Sequence, residues 1–134
     1  MQYSVAIRNA RLDVVETTIN ADVPRLLIFE GSIPANCAAA DAGTVLVNTV
    51  LPSDWLAAAS GGQKSIANNP WALTGIAAGN GQYFRIKNNA NSACHIQGSV
   101  SATGGGGDLQ LNNTNIANGQ DVNITAFTLT AGNA

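Results

Sequence analysis

The segment Val122-Asn-Ile-Thr-Ala-Phe-Thr-Leu-Thr130 gives the clearest indication of the fold. Its apolar residues Val122 and Ile124 alternate with asparagine and threonine, and threonine recurs at polar positions toward the end. A period of two residues is typical of a strand with one buried face and one exposed face. We therefore predict a strand that begins soon after the turn dipeptide Asn118-Gly119.

Two shorter segments upstream have the same alternation. Residues 94–100 predict a strand with Cys94 on the apolar face and His95 on the polar face. Leucine alternates with polar residues again at positions 109–111, which predicts another short strand. The run Gly104-Gly-Gly-Gly107 leaves the backbone little restrained, so we predict a surface loop between these strands.

The middle of the chain predicts a hairpin. Residues 71–77 and 82–87 flank Gly79-Asn-Gly81, a glycine-containing turn of the length that joins two antiparallel strands. In the second of these segments, alternation directs the apolar side chains inward and Arg85 and Lys87 outward.

Two further strands are predicted closer to the N-terminus. The compact apolar run Arg25-Leu-Leu-Ile-Phe-Glu30 predicts a buried strand. Residues 44–51 are rich in β-branched side chains, and alternation places Val45 and Val47 on one face and Leu46 on the other. The stretch between the two strands contains a proline and an alanine cluster and is expected to be a loop.

Helical spacing occurs over residues 4–19, where Leu12, Val15 and Ile19 recur at i, i+3 and i+7. The first residue of this range, a serine, is the expected N-cap, and Asn20 is expected to end the helix in a left-handed conformation. The polar side of the helix carries Arg8, Asn9, Arg11, Asp13 and Glu16. We interpret this side as a solvated face, with a docking surface as the alternative.

These patterns together predict an all-β fold, an antiparallel β-sandwich of jelly-roll type with one N-terminal α-helix. Short strands at spacings of roughly ten residues, joined by turn-length links, are typical of that architecture. The 134 residues suit a single domain, with the helix over about residues 4–19 and strands from about 25 to 131.

The charge content is unusually low. Charged residues make up 10% of the chain although 46% of it is apolar, which predicts a folded chain with an uncharged polar surface. A net charge of −2 gives no basic patch for a polyanion, so we expect no nucleic-acid partner. Because so few charges leave little repulsion between molecules, we expect partners to cover part of the surface.

The N-terminal sequence predicts synthesis in the cytoplasm. Arg8 and Arg11 interrupt an apolar stretch that is too short for a secretory signal or a membrane span, so we expect no membrane partner. Cysteines in such a chain more often stay reduced. We therefore expect Cys37 and Cys94 to be thiols, with a disulfide between them as the alternative.

Few residues suggest catalysis or metal binding. The sole histidine, His95, falls on the polar face of a strand, and with Cys37 and Cys94 it shows no paired metal-ligand spacing. The eight carboxylates are scattered singly, and the glycines at 104–107 lack the lysine of a phosphate-binding loop. We predict no catalytic residue, no metal, no cofactor and no enzymatic activity.

The aromatic residues Trp55, Trp71, Tyr83 and Phe84 have two possible roles. Core packing explains them because a sandwich core needs the few large residues that this chain has. The alternative is an exposed platform for a sugar ring, which would make the chain a carbohydrate-binding module.

Five segments carry a family likeness. They are Ser4-Val-Ala-Ile-Arg-Asn-Ala-Arg11, Leu27-Ile-Phe-Glu-Gly-Ser-Ile-Pro34, Tyr83-Phe-Arg-Ile86, Asp108-Leu-Gln-Leu-Asn-Asn113 and Phe127-Thr-Leu-Thr-Ala-Gly-Asn133. Together they resemble small virion proteins of tailed phages and prophages, of the kind assigned as capsid decoration or cement proteins. The resemblance implies a sandwich or jelly-roll protein on the capsid exterior, a dimer or trimer that bridges major capsid protein subunits. A tail or baseplate component with the same fold stays open.

The resemblance transfers no residue roles, so the interface candidates come from the helix and the longer loops. They are Arg8 and Arg11 on the helix, Ile33 and Pro34 in the loop before the second strand, and Trp55. Each contact can be weak, because many copies act together in an assembly.

Overall fold

The computed structural model describes residues 1–67, 71 and 73–132. Over these residues the elements in chain order are α1 (Val5–Asn20), β1 (Arg25–Glu30), β2 (Thr44–Val50), β3 (Gln63–Ser65), β4 (Leu73–Thr74), β5 (Gly79–Asn80), β6 (Tyr83–Lys87), β7 (Cys94–Ala102), β8 (Leu109–Leu111), β9 (Asn115–Ile116), β10 (Asp121–Val122) and β11 (Ile124–Thr130). Residue 72 of the predicted 71–77 segment and residues 133 and 134 of the predicted domain lie outside this description.

The all-β class with one N-terminal helix is confirmed. Seven strands form one sheet in the order β2-β1-β6-β7-β8-β11-β3, and two small ribbons pair β10 with β4 and β5 with β9. Leu73, Ile116 and Val122 from the ribbons enter the same apolar core as the large sheet. The arrangement is therefore sandwich-like, with the core between the sheet and these smaller pieces.

The helix begins as predicted but ends differently. Ser4 is the N-cap, because its Oγ accepts a hydrogen bond from Ile7 N at 3.3 Å. The prediction of a left-handed Asn20 is wrong. The right-handed conformation continues through Ala21, whose N–H bonds to Thr17 O at 3.3 Å, and the positive φ of 51° falls at Val23.

Strand β1 is buried on both faces, which confirms the prediction from its apolar run. Leu26 and Ile28 belong to the main core. Leu27 and Phe29 point to the opposite face, where they form a small second cluster with Tyr83. The rings of Phe29 and Tyr83 stack with centroids 4.6 Å apart.

A β-bulge changes the expected alternation of β2. Ile28 pairs with Val47 but Phe29 pairs with Val45, so the register shifts by one residue between them. Leu46 and Val47 consequently both join the main core, while Val45 packs on the second cluster. The prediction that Val45 and Val47 share a face is therefore wrong, because alternation does not continue through a bulge.

The predicted hairpin around residues 79–81 is also wrong. Strand β5 pairs with β9, far along the chain, and Glu30 Oε1 accepts a hydrogen bond from Asn80 N at 3.1 Å. A Cβ at Gly79 would lie 2.8 Å from Leu46 Cδ2. The missing side chain at Gly79 thus allows close packing against Leu46 of β2.

One strand pair departs from antiparallel order. Strands β7 and β8 run parallel, with Val100 opposite Leu109, so the large sheet is mixed. The connection at residues 103–108 forms the predicted surface loop. A Cβ at Gly107 would lie 2.7 Å from Ser101 N, and Gly104 has a φ of +81°. The glycine run is what allows so short a parallel connection.

The loop at residues 31–43 folds over the second face of the sheet and is tied there by a disulfide between Cys37 and Cys94. The expectation of two reduced thiols is therefore wrong. Their Cα atoms lie 5.2 Å apart, within the range that a disulfide spans. The same loop covers Arg85 and Lys87, which are 2% and 6% exposed, so their predicted outward direction does not bring them to solvent.

Candidate interaction surface

The side of α1 that faces the protein is mostly polar at its N-terminal half. Arg8 Nε donates a hydrogen bond to Ala131 O at 2.8 Å. Asn9 Oδ1 accepts one from Gly62 N, also at 2.8 Å. These two bonds join the helix to one end of the antiparallel β3–β11 pair, at one edge of the sheet, where Ala131 N also donates to Gly62 O at 2.9 Å.

A buried ion pair holds the middle of the helix. Lys64 on β3 is 4% exposed, and its Nζ lies 2.6 Å from Asp13 Oδ1 and 2.8 Å from Glu16 Oε2. Burial by itself would lower the pKa of Lys64, but hydrogen bonds and charge from the two carboxylates outweigh it and raise that pKa. Glu16 Oε1 also accepts a hydrogen bond from Leu56 N at 3.2 Å.

The C-terminal end of the helix is held by Asn20. Its Oδ1 accepts a hydrogen bond from Trp55 Nε1 at 2.8 Å, and its Nδ2 donates to Ser53 O at 2.8 Å. Leu12 and Ile19 are the helix residues that are buried. The attachment of α1 therefore combines two apolar side chains with a row of polar contacts.

The interpretation of the polar side as a solvated face is wrong for three of its five residues. Arg8, Asn9 and Glu16 are half-buried because they bond to neighbouring strands, whereas Arg11 and Asp13 stay exposed. The polar side does dock, but it docks within the same molecule.

The opposite side of the helix exposes apolar side chains. Ile7 and Val14 are 49% and 63% exposed. Val15, which the sequence predicts on the buried stripe with Leu12 and Ile19, is 38% exposed. A groove of about 480 Å³ runs between this side and the end of β11, and it is lined by Ile7, Ala10, Arg11, Leu12, Val14, Val15, Thr130 and Ala131.

The spacing of the exposed residues matches that of a helix-pairing seam. Ile7, Ala10, Val14 and Thr17 follow one another at intervals of three and four residues on exposed positions. Side chains at these intervals form a line along one side of a helix, the arrangement with which helices pack in pairs. Of this line, Ile7, Ala10 and Val14 also line the groove, together with Val15. We call the exposed side chains of Ile7, Ala10, Val14 and Val15 the outer helix face.

The two helix arginines have different positions. Arg8 is used within the molecule, because its Nε bonds to Ala131 O. Arg11 lies at the rim of the groove, with its guanidinium carbon 5.2 Å from the centre of the Tyr3 ring. Arg11 is therefore the candidate interface residue that lies closest to the outer helix face.

The loop candidates lie on another part of the sheet. Ile33 is 46% exposed, whereas Pro34 is half-buried and its carbonyl oxygen accepts a hydrogen bond from Gln97 Nε2 at 2.7 Å. Their loop packs on β6 and β7, while α1 packs on β3 at the sheet edge. The structure does not gather the candidates into one patch.

Trp55 is wrong as a surface candidate, because it is fully buried. Trp71 is also buried, at 3% exposure, and the two indole rings lie 5.8 Å apart in the main core with Phe127 beside them. Core packing is thus the role of both tryptophans. The exposed aromatic platform on which the carbohydrate alternative depends is not formed by them.

The chemically active side chains are dispersed. His95 is half-buried, not fully exposed, and its Nε2 lies 3.4 Å from Asp22 Oδ2. Among residues 1–67, 71 and 73–132, no three His, Cys, Asp or Glu side chains are grouped closely enough to hold a metal ion. In the same part of the chain, no helix has the length and apolar content to cross a membrane.

Sequence reasoning missed the role of Lys64 and the outer helix face. The seam at positions 7, 10, 14 and 17 is visible in the sequence, but it competes with the buried stripe at Leu12 and Ile19. The chain matches no protein-family model, no curated protein and no solved structure. The resemblance to decoration proteins accordingly stays a prediction.

Proposed function

We propose that this protein is a non-enzymatic structural component of a tailed-phage particle, one that decorates or cements the capsid by bridging major capsid protein subunits. It would sit on the capsid exterior after synthesis in the host cytoplasm, as a dimer or trimer. The proposal extends the sequence resemblance with one structural observation, the outer helix face.

The outer helix face supports the proposal because it is apolar and firmly held. Polar contacts from Arg8, Asn9, Glu16 and Asn20 fix the helix on the sheet. The apolar side chains are left on the outside, where their burial by a partner is favourable. A helix presented in this way suits a stable, repeated contact in an assembly better than a transient one.

The low charge supports the same conclusion. With 10% charged residues, little electrostatic repulsion opposes packing of many copies side by side. The contact area of a single 16-residue helix is small compared with a standard interface, so several weak contacts for each copy must act together. That requirement is met in a capsid, where each copy meets several neighbours.

The first experiment is quantitative mass spectrometry of purified particles from the phage or prophage that carries the gene. We expect the chain in fixed proportion to the major capsid protein. Separation of heads from tails tests the location, and recovery in the tail or baseplate fraction would favour the alternative structural role. Absence from washed particles would rule out a virion component.

The second experiment tests the surface. Val14→Asp puts a charge on the outer helix face, and Ile76→Asp changes a similarly exposed apolar residue, 52% exposed, away from the helix. We expect Val14→Asp to lose at least about tenfold in binding to particles that lack the protein, since an unpaired charge in an apolar contact is costly. Ile76→Asp should bind like the wild type, and equal binding of both variants would contradict the assigned surface.

A further inference from the structure

A small pocket of about 130 Å³ lies under the loop at residues 31–43. Its walls are the loop segment 37–41, the side chains of Arg85 and Lys87 on β6, and Ser92 and Cys94 just beyond. The disulfide between Cys37 and Cys94 forms part of this wall. The pocket belongs to the second face of the sheet and is separate from the outer helix face.

The pocket carries an excess of positive charge. Arg85 and Lys87 are both more than nine-tenths buried. Asp41 contacts both of them, with Oδ1 2.8 Å from Arg85 Nη1 and Oδ2 2.6 Å from Lys87 Nζ. All eight carboxylates lie in the described residues, and none of the other seven forms an ion pair with these cations. Two buried cations thus share one carboxylate.

Hydrogen-bond donors are also left over. The Nη atoms of Arg85 donate to Ala39 O, Asn36 O, Asp41 and Gln97 Oε1. Its Nε has no partner in the described part of the chain. Among the described residues, Lys87 Nζ donates to Asp41 alone, although an ammonium group has three donors. A buried cation without a full set of partners is costly, so an acceptor that carries negative charge is the expected complement.

We propose that this pocket binds one small carboxylate, either as a free anion or as an acidic side chain of a partner. One negative charge balances the excess positive charge. Carboxylate oxygens accept hydrogen bonds without donating any, which suits the unused donors of Lys87 beside the charged guanidinium of Arg85. The volume holds a carboxylate with a few carbon atoms and is well below the several hundred cubic ångströms of a cofactor pocket.

The test is a titration of the full-length protein with sodium acetate against sodium chloride at constant ionic strength. We expect the melting temperature to rise by about 5 °C and then level off. In ¹⁵N-edited NMR spectra, the Nε–H signal of Arg85 should shift with the same saturation curve. A parallel titration with N-acetylglutamate amide distinguishes the sources, because tighter binding than acetate indicates a protein side chain and weaker binding a free anion.

Lys87→Met is the decisive variant. It leaves Arg85 and Asp41 as a neutral pair, so the protein should fold and lose the saturable response to acetate. Lys64→Met is the matched control, because it removes another buried lysine and should keep that response. An absent Arg85 shift in the wild type, or an equal acetate response in Lys87→Met, would overturn the proposal. Neither result depends on phage assembly, so this pocket and the proposed function stand or fall separately.

Discussion

The helix α1 covers one edge of the sheet and the loop at residues 31–43 covers its second face, and the two are attached in different ways. The helix α1 is held by Lys64, a buried cation that contacts two carboxylates, Asp13 and Glu16. The loop at residues 31–43 is held by a disulfide and by two buried cations that share one carboxylate. The buried lysine under the helix therefore has enough carboxylate partners within the molecule. The two buried cations under the loop do not, and they can bind a further carboxylate.

Removal of the disulfide is expected to have the largest effect. Cys37 and Cys94 are 57 residues apart in sequence, and closing a loop of that length restricts the unfolded chain. We expect the Cys37→Ala/Cys94→Ala variant to lose about 4 kcal/mol of unfolding free energy. Urea unfolding of the variant, and of the wild type with and without reductant, measures this. An unchanged midpoint under reduction would show that noncovalent contacts alone hold the loop.

Replacement of the two buried lysines is expected to have the next largest effect, and the effect should differ between them. Lys64→Met leaves the carboxylate of Glu16, whose side chain is 14% exposed, without its cation, and we expect a loss of about 3 kcal/mol. Lys87→Met removes only the excess charge, so its stability should stay within about 1 kcal/mol of the wild type. Denaturant unfolding compares the two variants. Equal losses would mean that the charge balance of the two regions does not differ in effect.

Alkaline pH should weaken both regions. The pKa of Lys64 is raised above its ordinary value of 10.5 by its carboxylates despite burial, and burial raises the pKa of Tyr83 above its ordinary value of 10.0. For both groups the folded protein holds the proton more tightly than the unfolded chain. Their contribution is therefore complete below pH 10 and falls above it, by up to about 1.4 kcal/mol per pH unit for each group.

The variants Lys64→Met and Tyr83→Phe assign this alkaline loss. Above pH 10, the unfolding free energy of each variant should fall less steeply with pH than that of the wild type. The difference in slope is the contribution of the group that the variant lacks. Tyr83 anchors the loop by donating to Ala42 O at 2.6 Å, so its contribution to the alkaline loss reports on the second face of the sheet. The contribution of Lys64 reports on the attachment of the helix. A pH profile that neither variant changes would refute the assignment.

The smallest change in stability is expected on the outer helix face. Val14→Ser alters a side chain that is 63% exposed, and the unfolding free energy should change by less than about 0.5 kcal/mol. Asn20→Ala leaves the buried Trp55 N–H without its acceptor and should cost about 2 kcal/mol. Thermal unfolding of the two variants shows which loses more stability. A larger loss in Val14→Ser would mean that the apolar side already packs within the molecule.

The sequence alone determined the helix and most strands, because their patterns are local. Ser4 acts as a cap through a residue three positions away, and the apolar run of β1 shows a strand buried on both sides. Core packing of the tryptophans was one of the two roles that the sequence indicated, since so few large side chains are available to fill the core. These inferences need no knowledge of which strands are neighbours.

Only the tertiary structure decided which face of the helix docks, because two apolar lines compete on it and the polar line finds partners on distant strands. Lys64 and Asp13 are 51 residues apart, and Arg85 is covered by a loop more than 40 residues away. The sequence does not specify such pairings, since burial of a charge depends on what the fold brings over it. The disulfide, the bulge in β2 and the anion pocket likewise depend on contacts between residues that are distant in sequence.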